Sequence, residues 1–135
     1  MSRSTDWVAA GDVRMLAYSK VGMNKRKESP VPPTLQQFKA RLFRALSHEL
    51  RVRALEELRM GERSVSDLQE ALGVSASNVS QHLAVLRGEG IVTARREGTT
   101  VLYSVPDQRL YSLLDDARAI FEQRITSGAA LLLDD

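Results

Sequence analysis

SASNVSQHLAVLRGEG, from Ser75 to Gly90, joins two halves of different chemistry. The first is a row of small hydrogen-bonding residues without a carboxylate. The second carries Leu and Val at helical spacing. Val79, Leu83 and Leu86 fall on one stripe of an α-helix, and Ser75 stands where an N-cap accepts backbone N–H groups that the helix leaves unpaired. Val74 and Val79 have the spacing of a hydrophobic staple, and Gly90 ends the run. A solvated surface helix would show Glu and Lys on its outer face. This one shows Ser77, Asn78, Ser80 and Gln81, and from Ala71 to Gly88 there is no acidic residue. Such a face suits a partner that brings its own negative charge.

Upstream, SVSDLQEALG reads as a short helix, with Ser66 and Gln69 at capping-box spacing and Gly73 as a left-handed exit. Before it, a helix from about His48 turns Leu50, Ala54, Leu55 and Leu58 inward and stops at Gly61. Leu35, Phe38, Leu42 and Leu46 recur at spacings of three and four, which places another amphipathic helix after Thr34. Downstream the period changes. IVTARR and TTVLYSV flank the turn residues Glu97–Gly98 and read as a β-hairpin. Asp107 then caps a last helix with a broad stripe of Leu110, Leu113, Leu114, Ala117, Ile120, Phe121 and Ile125. A small domain has little core left for that stripe, so it reads as a dimer seam. The order is mainly α with a small β-hairpin: a winged helix-turn-helix.

At 135 residues, 43% hydrophobic and 27% charged, the chain has the make-up of one globular domain with a tail. No run approaches the roughly 18 apolar residues of a membrane span, and no secretory h-region follows the first basic residue. Cysteine is absent, which removes disulfides, thiolate metal sites and thiol nucleophiles. Together these features point to the cytoplasm. Net charge is only +2. Residues 1–33 carry six Lys/Arg against three acids, so the rest of the chain sums to −1, and a nucleic-acid reading must rest on local placement. Those first residues lack sustained periodicity and end in ESPVPPT, which reads as a flexible basic tail and linker. Trp7, Val8, Leu16 and Tyr18 allow a short helix there. MNKRKESPVPP, from Met23, also reads as the start of a shorter protein. The domain proper spans 34–126, followed by a short tail over 127–135.

The stretches ALSHELRVRALEEL, SVSDLQEALGVSASNVSQHLAVLRGEGIV and ARREGTTVLYSV together resemble the ArsR/SmtB family of bacterial winged-helix transcriptional repressors over roughly residues 34–126. The resemblance implies a homodimer on double-stranded operator DNA near a promoter. It pairs through the first and last helices, adding Leu35, Phe38 and Leu42 to the seam. The sensing sites the resemblance implies are not matched. The Cys-x-Cys positions read Ser64-Val65-Ser66, and the last helix offers Asp107, Asp115, Asp116 and Glu122 without a His. No metal, cofactor or inducer is therefore assigned.

Base edges in the major groove offer donors and acceptors that Asn, Gln and Ser can match, whereas Asp and Glu would be repelled by phosphates. Ser77, Asn78, Ser80 and Gln81 are thus placed at the groove. Ser75 serves equally well as a helix cap or as a phosphate contact. Arg87, Arg95 and Arg96 are candidate phosphate or minor-groove contacts, but Arg95 and Arg96 alternate along a strand, so one of them faces DNA. His82, next to the buried-stripe Leu83, reads as a packing or phosphate-side residue. The resemblance implies a non-sensing role for His48, far from it in sequence, and Asp115-Asp116 reads as a solvated corner. No nucleophile, catalytic carboxylate pair or phosphate loop appears, so an enzyme is not expected. The expectation is a sequence-specific repressor reading an imperfect inverted repeat. Its rival is a winged-helix module that binds protein rather than an operator.

Overall fold

The structure, a computed structural model, describes residues 31–128. The short helix expected near Trp7 and Tyr18 and the segment from 129 onward lie outside the described residues. The chain runs through α1 (Leu35–Ala45), α2 (Glu49–Glu57), a 3-10 turn (Leu58–Met60), β1 (Arg63–Ser64) and α3 (Val65–Leu72). It continues through α4 (Ala76–Gly88), β2 (Thr93–Glu97), β3 (Thr100–Ser104) and α5 (Arg109–Thr126). This is a winged helix-turn-helix, mainly helical with one small antiparallel sheet ordered β1-β3-β2. The wing thus has a third strand that the sequence reading did not contain.

Local chemistry sets most boundaries. Thr34 and Gln37 cap α1 reciprocally, with the Thr34 N–H donating to Gln37 Oε1 at 2.9 Å. His48 caps α2, its Nδ1 accepting the Leu50 N–H at 3.1 Å. The capping box of α3 uses Ser64 and Asp67, not Ser66 and Gln69. Both serines have a polar residue three positions on. Ser64 wins because β1 holds it extended, the backbone state an N-cap requires. The hairpin loop is Gly98-Thr99 rather than Glu97-Gly98. Glu97 still pairs with Thr100, and Gly98 takes a φ of 66° that favours glycine.

One apolar cluster joins α2, α3, α4 and the root of α5. Leu55, Leu68, Leu83 and Leu86 are almost fully buried. Each contributes about 1.5–3 kcal/mol of transfer free energy. Tyr111 fastens α5 to this core: its hydroxyl donates to the Leu55 carbonyl at 2.6 Å, and burial pushes its phenol up to about 12. The Arg59 guanidinium lies 4.6 Å over the Tyr111 ring and forks onto Asp115 at 2.8 and 3.3 Å. Asp115 is therefore an anchor rather than merely a solvated corner.

This anchoring corrects the reading of the last helix. Leu110 and Leu114, placed at the dimer seam by their spacing, are each only 9% exposed and belong to the protomer's own core. The stripe divides along its length. Ile120, Phe121 and Ile125 are 57, 56 and 52% exposed, whereas Leu113 is half-buried. On α1, Leu35 and Phe43 are exposed, Phe38 is half-buried, and Leu42 packs against the core. At the other end of the domain, Arg41 of α1 grips Glu89, the C-cap of α4, through two bonds of 3.0 and 3.2 Å.

Candidate nucleic-acid interface

Three residues, Gly73 to Ser75, separate α3 from α4. Gly73 closes α3 with a φ of 72°, its N–H donating to the Gln69 carbonyl at 2.8 Å. The chain can therefore reverse within one residue and let Val74 pack inward. Ser75 then caps α4, accepting the Asn78 N–H at 3.2 Å, with its hydroxyl 3.3 Å from that of Ser77. Val79, Leu83 and Leu86 bury the inner face. The helix ends on Gly90, whose φ is 76°, with the Ile91 N–H donating back to the Leu86 carbonyl at 2.9 Å.

Ser77, Ser80 and Gln81 are left exposed on the outer face and Asn78 half-buried at its edge. Among the described residues, none of the side chains of Asn78, Ser80 and Gln81 is taken up by a hydrogen bond, and no acid lies on this helix. The face carries unspent donors and acceptors on a rigid rod, as reading base edges requires. Arg87 is exposed in the last turn and has no ion pair among the described residues.

The two wing arginines part company. Arg95 pairs across the sheet with Leu102, and Arg96 with Val101, so their side chains leave opposite faces. Arg95 is held by Glu62 through two bonds of 2.7 and 2.8 Å, and Glu97 stands 3.7 Å away. The fork onto Glu62 raises the Arg95 guanidinium above its ordinary value and lowers the Glu62 carboxyl. Arg96 is exposed and has no ion pair among the described residues.

The two histidines, far apart in sequence, are brought together by the fold. Their ring centroids are 4.2 Å apart, His48 at the start of α2 and His82 on α4, and Arg51 Nη1 lies 3.5 Å from His82 Nδ1. Arg51 also donates from Nε to the Ala45 carbonyl at 2.7 Å. A guanidinium only donates, so this contact favours a bare Nδ1 on His82. Burial chiefly, then His48 and Arg51, holds His82 below the ordinary histidine value. No spacing in the sequence announces this junction, because residues 34 apart meet only through tertiary packing.

A pH dependence follows. An unfolded His82 takes up a proton near pH ~6.5, whereas the folded one resists it, so the unfolded state binds more protons below that point. Stability is then greatest above pH ~6.5 and falls as acidity passes toward the folded value. Denaturant midpoints at pH 7.5 and 5.5 should show the loss, and His82→Gln should reduce it. An equal loss in the variant would assign the effect elsewhere.

Comparison with known proteins agrees with the geometry. Residues 48–94, from the α2 cap into β2, match the family described as "Bacterial regulatory protein, arsR family". The HTH-type transcriptional regulator Rv0081 of Mycobacterium tuberculosis is 39% identical over 101 residues, spanning 74% of this chain and 89% of that protein. The chain belongs to the ArsR family. The crystal structure of Rv0081 superposes with a TM-score of 0.64 at 36% identity, over 73% of this chain and 99% of that one. A homodimeric winged helix-turn-helix DNA-binding domain from Mycobacterium bovis gives a TM-score of 0.63 at 29% identity, over 77% of this chain and 92% of that one. The transcriptional repressor SmtB of M. tuberculosis is 39% identical over 92 residues, 67% of this chain and 68% of that protein.

As an ArsR-family protein this chain is a DNA-binding transcriptional regulator and not an enzyme. At the Cys-x-Cys positions, Ser64 spends its hydroxyl on capping α3, accepting the Asp67 N–H at 3.1 Å. Among the described residues no group of three His, Asp or Glu side chains is placed to hold a metal ion, and no helix is long and apolar enough to cross a membrane.

Proposed function

We propose that this ArsR-family regulator is a cytoplasmic homodimeric repressor that reads an imperfect inverted repeat near a promoter. The observation that carries the reading is the outer face of α4: acid-free, with Ser80, Gln81 and Asn78 uncommitted to any partner in the fold. Ser77, Asn78, Ser80 and Gln81 take the base edges. Ser75, already a cap, turns its hydroxyl proton to a phosphate when Ser77 is the donor between the two hydroxyls, and Arg87 and Arg96 supply backbone contacts. Two-fold pairing sets the recognition helices about 34 Å apart, one turn of duplex. The exposed apolar run of Ile120, Phe121 and Ile125 on α5, with Leu35 and Phe43 on α1, supports pairing of two copies. So does the homodimeric state of the M. bovis relative.

The test is fluorescence anisotropy with the duplex upstream of the protein's own gene and a scrambled duplex of equal length, at two salt concentrations. Tighter binding to the upstream duplex at both is expected; equal affinities would refute an operator-reading role. In the same assay Arg96→Ala should flatten the salt dependence by roughly one unit per protomer. An unchanged slope would remove the wing from the interface.

A further inference from the structure

The wing carries an ion pair whose position is easier to explain by DNA than by folding. Gly61, with a φ of 147°, ends the 3-10 turn, and Glu62 leads from it into β1. The order β1-β3-β2 puts β1 and β2 on opposite edges of the sheet. Ser64 and Arg95 both pair with Leu102, so they form one row across it. Glu62 lies two residues before Ser64, and strand periodicity gives it the same face. Arg95 therefore spans β3 to reach Glu62 with both prongs of its guanidinium, at 2.7 and 2.8 Å, although Glu97 is nearer in sequence. Both partners lie at the surface, where water already solvates them and such a pair adds little to stability. What the pair does change is the charge the wing presents. Of the two hairpin arginines, Arg95 is neutralised by Glu62 from outside the hairpin, which leaves Arg96 as the one without an ion pair among the described residues.

We infer that Glu62 is a specificity-determining residue: it withholds Arg95 from the phosphate backbone and thereby limits sequence-independent binding. A guanidinium forks onto a phosphate as it does onto a carboxylate, so the two anions compete for the same donors. While Glu62 holds them, non-specific affinity rests on fewer cations, and the ratio of operator to non-specific binding rises. The inference rests on the reading that the wing reaches DNA, with Arg96 in place on one face of the hairpin and Arg95, once released from Glu62, swinging round from the other.

The experiment measures salt-dependent binding of the full chain to the upstream duplex and to a scrambled duplex. Glu62→Gln, an exposed and nearly isosteric change, should bind both more tightly, by roughly three- to tenfold at ~0.1 M salt, with a slope steeper by about one unit per protomer. Preference for the upstream duplex should narrow. Glu56→Gln makes the same charge change beside Arg59, which Asp115 still holds, and should move neither quantity. The double variant Glu62→Gln, Arg95→Gln should return to the parental slope. Weaker or unchanged binding by Glu62→Gln, equal gains in Glu56→Gln, or a slope that stays steep in the double variant would each overturn the inference. Failure of the wing reading itself is read separately, from an Arg96→Ala slope that does not change.

Discussion

Phe121→Glu is expected to yield a folded monomer whose operator affinity is lower by roughly 10²–10⁴-fold. The size follows from linkage. A dimer binds its second half-site as an intramolecular event, at an effective concentration near the millimolar range, and a monomer loses that gain entirely. Folding should survive, because Phe121 is 56% exposed and lies beyond the Tyr111–Leu114 segment that ties α5 to the core. An unpaired carboxylate buried between two copies would be strongly unfavourable, so the pairing should fail rather than adjust. Sedimentation equilibrium reports the mass, circular dichroism the fold, and anisotropy the affinity. A dimer of normal stability in this variant would place the seam elsewhere.

The second large effect concerns choice of site. Ser80→Ala with Gln81→Ala removes two uncommitted polar groups per protomer from a helix whose inner face is untouched. Alanine favours the helix, so the fold should hold. A good bidentate base contact is worth about 1–3 kcal/mol of discrimination, and two half-sites double it. Preference for the upstream duplex should therefore collapse, leaving weak binding that is sensitive to salt. The decisive quantity is the ratio of the two affinities. A double variant that keeps the parental ratio would show that other residues read the operator.

Much of the fold was legible because it depends on local chemistry. Gly73, Ser75, Val79 and Gly90 announce the turn and the recognition helix through propensity, capping and periodicity, and the structure has all four in those roles. The capping box of α3 was misread because two serines offered the same spacing, and only the pairing of β1 with β3 chooses between them. The last helix shows a different limit. Periodicity identifies an apolar stripe but not what covers it, so Leu110 and Leu114 looked like the seam when they fill the core. The site was legible to the same extent. The composition of α4 is local, whereas Glu62 on Arg95 and His48 on His82 join residues 33 and 34 apart, with no sequence signal to connect them.

The fork between Arg41 and Glu89 ties the helix that opens the domain to the tail end of the recognition helix. A tilt of α1 would be passed through it to α4, as from the arm to the blade of one lever. In a two-fold pair built on α1 and α5, a small change in the angle between copies is carried to the spacing of the two blades. DNA has a fixed stride of about 34 Å, so that spacing behaves like the setting of a caliper. Whatever opens or closes it would adjust grip without touching a single base contact.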